Sequence, residues 1–314
     1  MYSSPIDDHA IVKKALRAIA LNRTPGYSFC GNFFDFSYDS ADQDHSIVHV
    51  KPEAQSVGSS GQIHTVVQAI LADMGLATCL RYNIGDRHRT ATVSLSLQFT
   101  GVVPNGDLVA TSYSQAHLQG VQGRQGISQT RLTCGDELVA IGSAAFMILP
   151  MPEGTILPPV PWVSQKPPAN PPLDLQSLNE KEQWILHRVR QSVAECEKSG
   201  ENFLSHFLTL APQLVEGGSV CEVENGPHIG NRVGHVQGGI ILAIGMVCAS
   251  AALGDGWLLS GVTATYISPG EGDMIRAQAV VVHQGRMTAV VKTSVRSGSG
   301  KVALEVLSTH ARRA

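Results

Sequence analysis

Two stretches of the chain are apolar at almost every position rather than at every third or fourth. The first, Thr65-Val-Val-Gln-Ala-Ile-Leu-Ala-Asp73-Met-Gly-Leu-Ala-Thr-Cys-Leu80, carries a single charge, Asp73. The second, Gly238-Gly-Ile-Ile-Leu-Ala-Ile-Gly-Met246-Val-Cys-Ala-Ser-Ala-Ala-Leu253, carries none, and Met246 stands where the first has its acid. Each run is shorter than the roughly 20 residues of a membrane span. Each therefore predicts a core helix covered on most sides by the rest of the fold. The pattern around the two runs repeats in order. An amphipathic helix comes first, over His9–Asn22 and again over Asn179–Lys198. A short β-like segment follows, Ser46–Val50 and Gly218–Val223, and then a Gly-rich approach to the apolar helix. Beyond the helix lies an alternating strand, Thr90–Phe99 and Leu258–Tyr266. Each strand runs into a Pro/Gly/Asp turn, Pro104-Asn-Gly-Asp107 and Pro269-Gly-Glu-Gly-Asp273. Each half then has a Gln-Gly-Arg turn, Gln122-Gly-Arg124 and Gln284-Gly-Arg286, and two closing strands.

One unit is thus written twice: a long buried helix and a run of hairpin-connected strands. An antiparallel sheet curled around the helix would bury one face and leave the other to solvent. Two such sheets joined edge to edge would remove an exposed edge strand. The proline-dense stretch Pro150–Pro172 can form neither a helix nor a central strand and separates the copies. The expected organisation is an N-terminal unit over residues 1–150, a linker over 151–177 and a C-terminal unit over 178–314.

Composition narrows the function. With 43% hydrophobic and 16% charged residues and a net charge of −3, the chain reads as soluble and globular, with no global case for nucleic acid or a membrane. No secretory signal is recognisable in Met1–His9. The six cysteines form no C-x-x-C pair and are expected to be buried free thiols of a reducing, cytoplasmic compartment. The twelve histidines show no H-E-x-x-H spacing, so no metal site is expected.

Asn231-Arg-Val-Gly234-His-Val-Gln237-Gly238-Gly239 resembles the Asn-x-x-Gly-x-x-His-Gly-Gly signature of hotdog-fold thioesterases of the phenylacetic-acid-pathway type. The Gly-Asp turns and Gly-Arg hairpins also sit where that family has them. The resemblance implies an α+β double hotdog, in which a fused pair replaces the two-subunit dimer and such chains form a homo-oligomer. It also implies hydrolysis of an acyl-CoA with no cofactor, at a site shared between the halves. One half of the family's site supplies the Asn and the His-Gly-Gly helix start. The other supplies an acid nine positions after its own His, and a Ser or Thr on the next strand. Carried over, Asp73 and Thr92 come from the first half, and Asn231, Gln237, Gly238 and Gly239 from the second. The opposite pairing lacks these groups: Gly58 stands at the Asn position, His64 is followed by Thr65-Val66, and Met246 replaces the acid.

In this reading Asp73 activates water or attacks directly, and the Gly238 N–H at a helix start stabilises the oxyanion. Asn231 or the Gln237 amide adds a donor, and Thr92 holds the water. Gln237 departs from the family's His; it can hydrogen-bond but cannot carry a proton near neutral pH. His64 and Gly239 are expected against the substrate. Arg124, Arg286, Arg87 and Arg89 are candidates for the phosphates of coenzyme A. Two other classes fit part of the pattern. One is a hotdog enoyl-CoA hydratase or dehydratase, whose His-x-x-x-Gly-x-x-x-x-Pro pattern is met by His235 and Gly239 but broken at Ile244. The other is a non-catalytic acyl-CoA-binding protein.

Overall fold

The computed structural model of the protein describes residues 5–24, 28–82, 84, 87–120, 124–151, 153 and 166–314. Gln122 and Gly123 of the first hairpin turn, and residues 154–165 of the proline-dense stretch, lie outside the described residues.

The first half contains α1 (Ala10–Asn22), α2 (Phe29–Phe33), β1 (Ser37–Ala41), β2 (His45–Val50), α3 (Thr65–Arg81), β3 (His88–Phe99), β4 (Leu108–His117), β5 (Arg124–Cys134) and β6 (Glu137–Pro150). The second contains α4 (Glu180–Ser199), α5 (Phe203–Phe207), β7 (Gln213–Val215), β8 (Gly218–Glu224), α6 (Gly238–Ala251), β9 (Trp257–Tyr266), β10 (Met274–Gln284), β11 (Thr288–Arg296) and β12 (Val302–Arg312). All twelve strands form one antiparallel sheet in the order β1-β2-β4-β5-β6-β3-β9-β12-β11-β10-β8-β7. The halves meet at β3 and β9, from Ser94↔Thr265 to Gln98↔Gly261. This pairing turns what would be an exposed edge of each half into the middle of the sheet.

The apolar helices α3 and α6 lie against the sheet and against each other. They come into backbone contact at Gly239, where a Cβ would come within 2.5 Å of Ile70 Cα and 2.6 Å of the Ala69 carbonyl oxygen. Only glycine permits that helix contact. The outer helices α1 and α4 pair with each other, and Phe33 of α2 packs on Phe203 and Phe207 of α5 at ring distances of 5.9 and 5.2 Å.

The repeat extends to single contacts. The bridge Val57↔Ile63 before α3 recurs as Gly230↔Val236 before α6, each member 173 positions further on (57 to 230, 63 to 236). At the same displacement, Ser46 Oγ donates to the Gly75 carbonyl and Ser219 Oγ to the Cys248 carbonyl. Both serines are fully buried, and each satisfies its hydroxyl on a helix carbonyl, as burial requires.

The expected long elements are present within one or two residues. Four short ones escape the pattern. β1 (Ser-Tyr-Asp-Ser-Ala) and the wholly exposed β7 (Gln-Leu-Val) are edge strands without a buried face to print an alternation. α2 and α5 span five residues each, too few for a helical period to show. The cysteines are free, but only Cys30, Cys79, Cys221 and Cys248 are buried; Cys134 and Cys196 are partly exposed. No helix among the described residues is long and apolar enough to cross a membrane.

Candidate active site

Asp73 lies in the middle of α3 with 6% of its surface exposed. Three donors hold its carboxylate. Thr92 Oγ1 donates to Oδ1 at 3.0 Å, Gln237 Nε2 donates to Oδ2 at 2.8 Å, and the Gly239 backbone N–H donates as well. Two of the three come from the second half, so the acid is shared across the helix pair. Burial pushes its pKa up from the ordinary 3.8 to about 6, and the three hydrogen bonds limit the rise. Asp73 is therefore largely ionised at neutral pH yet basic enough to take a proton.

Thr92 reaches Asp73 from a special place in the sheet. The β3–β9 pairing ends at Ser94↔Thr265, and β3 bulges against β6 between Thr92 and Ser94. A bulge re-aims the side chain beside it. On the other strand, the next residue after Thr265 is Tyr266. Its hydroxyl donates to the Gly238 carbonyl at 2.9 Å, and burial, with the charge of Asp73 beside it, pushes its pKa well up. The site sits at the end of the seam between the halves.

Gln237 is the N-cap of α6. Its Oε1 accepts from the Ile240 N–H at 2.9 Å while Nε2 faces Asp73, so the two contacts fix which way the amide points. His64 holds the same position before α3 but caps differently: its Nδ1 accepts from the Val66 N–H, two residues on. The longer Gln side chain reaches the N–H three residues on. The N–H two residues on, that of Gly239, is thereby left to the Asp73 carboxylate. Gln237 thus accounts for two of Asp73's three donors, one given directly and one left free for it.

Gly238 is the first residue of α6, and its N–H has no partner among the described residues, as the first turn of a helix dictates. A Cβ there would lie 2.8 and 3.0 Å from the Asp73 oxygens and 3.1 Å from Thr92 Oγ1. Gly238 lines a cavity of about 410 Å³, whose wall also includes Asp73, Thr92, Asn231, Gln237 and Tyr266.

Of the expected site residues, Asp73, Thr92, Gln237 and Gly238 are brought together. Asn231 lines the cavity, but its Oδ1 is taken by the N–H groups of Val233 and His235, which fold the loop into a tight turn. Five other expected residues lie outside the cavity wall. Gly239 is buried under Ile70 and meets Asp73, not the cavity. His64 caps α3 on the opposite side of the repeat, where burial pulls its pKa down to about 4 and Met246 is fully buried. Arg124 and Arg286 are exposed and outside the cavity wall, as is Arg87; strand and hairpin ends point them to solvent. Arg89 does line the cavity, together with Arg81 and Arg232, for which no role was expected. Tyr266 was likewise missed; the end of an alternating strand carries no mark of a hydroxyl turned inward. No cluster of His, Cys, Asp and Glu able to hold a metal occurs among the described residues.

No protein-family model and no curated protein sequence matches the chain. Solved structures do match in shape. The tesB protein of Mycobacterium avium subs paratuberculosis is 8% identical over 88% of this chain and 96% of its own, with a TM-score of 0.52. A Lactobacillus plantarum protein designated an oleoyl thioesterase is 10% identical over 87% and 98%, with a TM-score of 0.54. A Thermobifida fusca protein designated a thioesterase II is 10% identical over 90% and 96%, with a TM-score of 0.50. At these identities the likeness is one of fold: the chain has the hotdog-like fold of solved thioesterases, matched over almost their whole length.

Proposed function

We propose that the protein is a thioester hydrolase acting on a coenzyme A thioester, built as two fused hotdog units with one composite site between them. The observation that carries this reading is the Asp73 carboxylate of α3, held by Gln237 and Gly239 of α6 at the mouth of a free helix N-terminus. A water in the cavity, hydrogen-bonded to Asp73, attacks the thioester carbonyl, and Asp73 takes its proton. The carbonyl oxygen becomes an anion facing the Gly238 N–H and the positive end of the α6 dipole. Collapse breaks the C–S bond, and Asp73 returns its proton to the departing sulfur. Carboxylic acid and thiol leave. Three donors on the carboxylate dull it as a nucleophile, and a pKa of about 6 suits a general base, so water attack is favoured over an anhydride. Thr92 orients the base through its hydrogen bond to Oδ1. The hydratase reading needs His235 as its partner, and that ring is turned to Glu271, Nε2 to Oε1 3.2 Å.

A panel of acyl-CoA esters assayed for free thiol tests this. The wild-type protein releases thiol from at least one ester, and Asp73→Asn releases none while keeping its fold. Binding without turnover across the panel, or turnover by Asp73→Asn equal to wild type, contradicts the reading.

A further inference from the structure

The charges in the cavity wall are one-sided. Among the described wall residues Asp73 is the only acid, against three arginines, Arg81, Arg89 and Arg232, in a chain whose net charge is −3. They are not scattered. Met74, Ala77, Thr78 and Arg81 continue a stripe of α3 away from Asp73, and Arg81 stands eight residues on, two helical turns or about 12 Å along the axis. Arg232 and Arg81 are close enough for their charges to act on one another, and burial, with that charge, pulls the Arg232 pKa down to about 9. Arg89 makes no ion pair and no side-chain hydrogen bond among the described residues.

Arg232 is aimed by a built turn. Asn231 Oδ1 takes the N–H groups of Val233 and His235, and Gly234 closes the turn at a φ of +87°. The repeat supplies an internal control. Displaced by 173 positions, the equivalents of Arg232 and Arg81 are Ser59 and Gly254, just as the equivalent of Asp73 is Met246. The cations occur on the side that carries the acid and are absent at the matching positions of the other.

We propose, on the thioesterase reading above, that Arg232, Arg89 and Arg81 form an anion subsite that grips a negatively charged group of the thioester about two helical turns from the reacting carbonyl. Guanidinium groups clustered in a half-buried cleft match the two-oxygen edge of a carboxylate or phosphate. The field they set up concentrates such a ligand in the cavity. The same chemistry has two sources: a phosphate of coenzyme A, or a carboxylate at the far end of the acyl group.

Steady-state kinetics on a set of thioesters separates them. Neutral acyl groups are compared as the coenzyme A ester and as the N-acetylcysteamine ester, which has no phosphate. On N-acetylcysteamine, a neutral acyl group is then compared with one ending in a carboxylate. Arg232→Gln and Arg89→Gln are each expected to raise KM about tenfold or more for the ester that bears the gripped anion, with kcat within about twofold, since a lost charge-assisted contact is worth at least that ratio. If the phosphate is gripped, the wild-type preference for the coenzyme A ester shrinks in the variants. If the acyl carboxylate is gripped, the preference for the carboxylated acyl group shrinks. Should Arg232→Gln not fold, Arg89→Gln and a rise in wild-type KM with salt for the anionic ester carry the same decision. Hydrolysis by the wild type with both preferences unchanged in the variants overturns the subsite and leaves the hydrolase reading standing. No hydrolysis of any ester by the wild type overturns that reading itself.

Discussion

Gln237 Nε2 stands 2.8 Å from Asp73 Oδ2, a hydrogen bond between residues 164 positions apart. The same amide caps α6 through its oxygen, and this double use fixes both the helix start and the acid.

Gln237→His puts before α6 the residue that stands before α3. His64 shows what that side chain does before the equivalent helix: it takes the N–H two residues on. In the variant that N–H is Gly239's, and Asp73 loses it. The acid limb of kcat/KM is expected to move upward by roughly half a unit or more, because the Gln237 amide and the Gly239 N–H no longer donate to the carboxylate. A limb unmoved or moved downward would count against the capping explanation.

Gly238 and Gly239 are glycines for different reasons, and the variants should fail differently. A Cβ on Gly238 meets the Asp73 oxygens at 2.8 and 3.0 Å. Gly238→Ala is expected to lower kcat by about 10²-fold, the scale of a lost oxyanion or base alignment, with little change in melting temperature. A Cβ on Gly239 meets Ile70 Cα at 2.5 Å. Gly239→Ala is expected to destabilise the fold by about 1–3 kcal/mol as the helices are forced apart. Thermal denaturation and thiol release, measured on both, separate the two.

The raised pKa of Asp73 also has a stability consequence. Its native value of about 6 lies above the ordinary 3.8, so between those values the folded protein holds a proton that the unfolded chain has released. Stability from this group is full below about pH 4, falls as pH rises toward 6, and is then flat. The total loss is on the order of 3 kcal/mol. Urea titrations of wild type and Asp73→Asn at pH 4.5, 6 and 8 should show the wild type losing ground between the first two and not the last two. Parallel curves would mean that the carboxylate is not perturbed.

Much of this was legible in the chain because the repeat is held at a constant displacement on either side of the apolar helices. That spacing aligned Asp73 with Met246 and His64 with Gln237 before any contact was known. The seam of β3 and β9 and the stacking of α3 on α6 follow from the same two apolar faces. The arginines were not legible in this way. Arg124 and Arg286 share a hairpin motif, but a motif at a strand end does not fix which way the side chain leaves the sheet. Arg232 was hidden inside a signature at a variable position, and only the turn built by Asn231 shows where it points. The cap made by His64 needed the helix start in three dimensions, because the difference between reaching the second and the third N–H is one side-chain carbon.

Asp73, held by Gln237, Gly239 and Thr92, is the proposed base. The most direct test is the pH dependence of kcat/KM for thiol release by the wild-type protein and by Asp73→Asn, from pH 4.5 to 8. The expected result is a wild-type profile that falls with unit slope below about pH 6 and is level above it, with activity in the variant at least 10³-fold lower and no such limb. A wild-type profile level through pH 6, or the same limb persisting in Asp73→Asn, would contradict it.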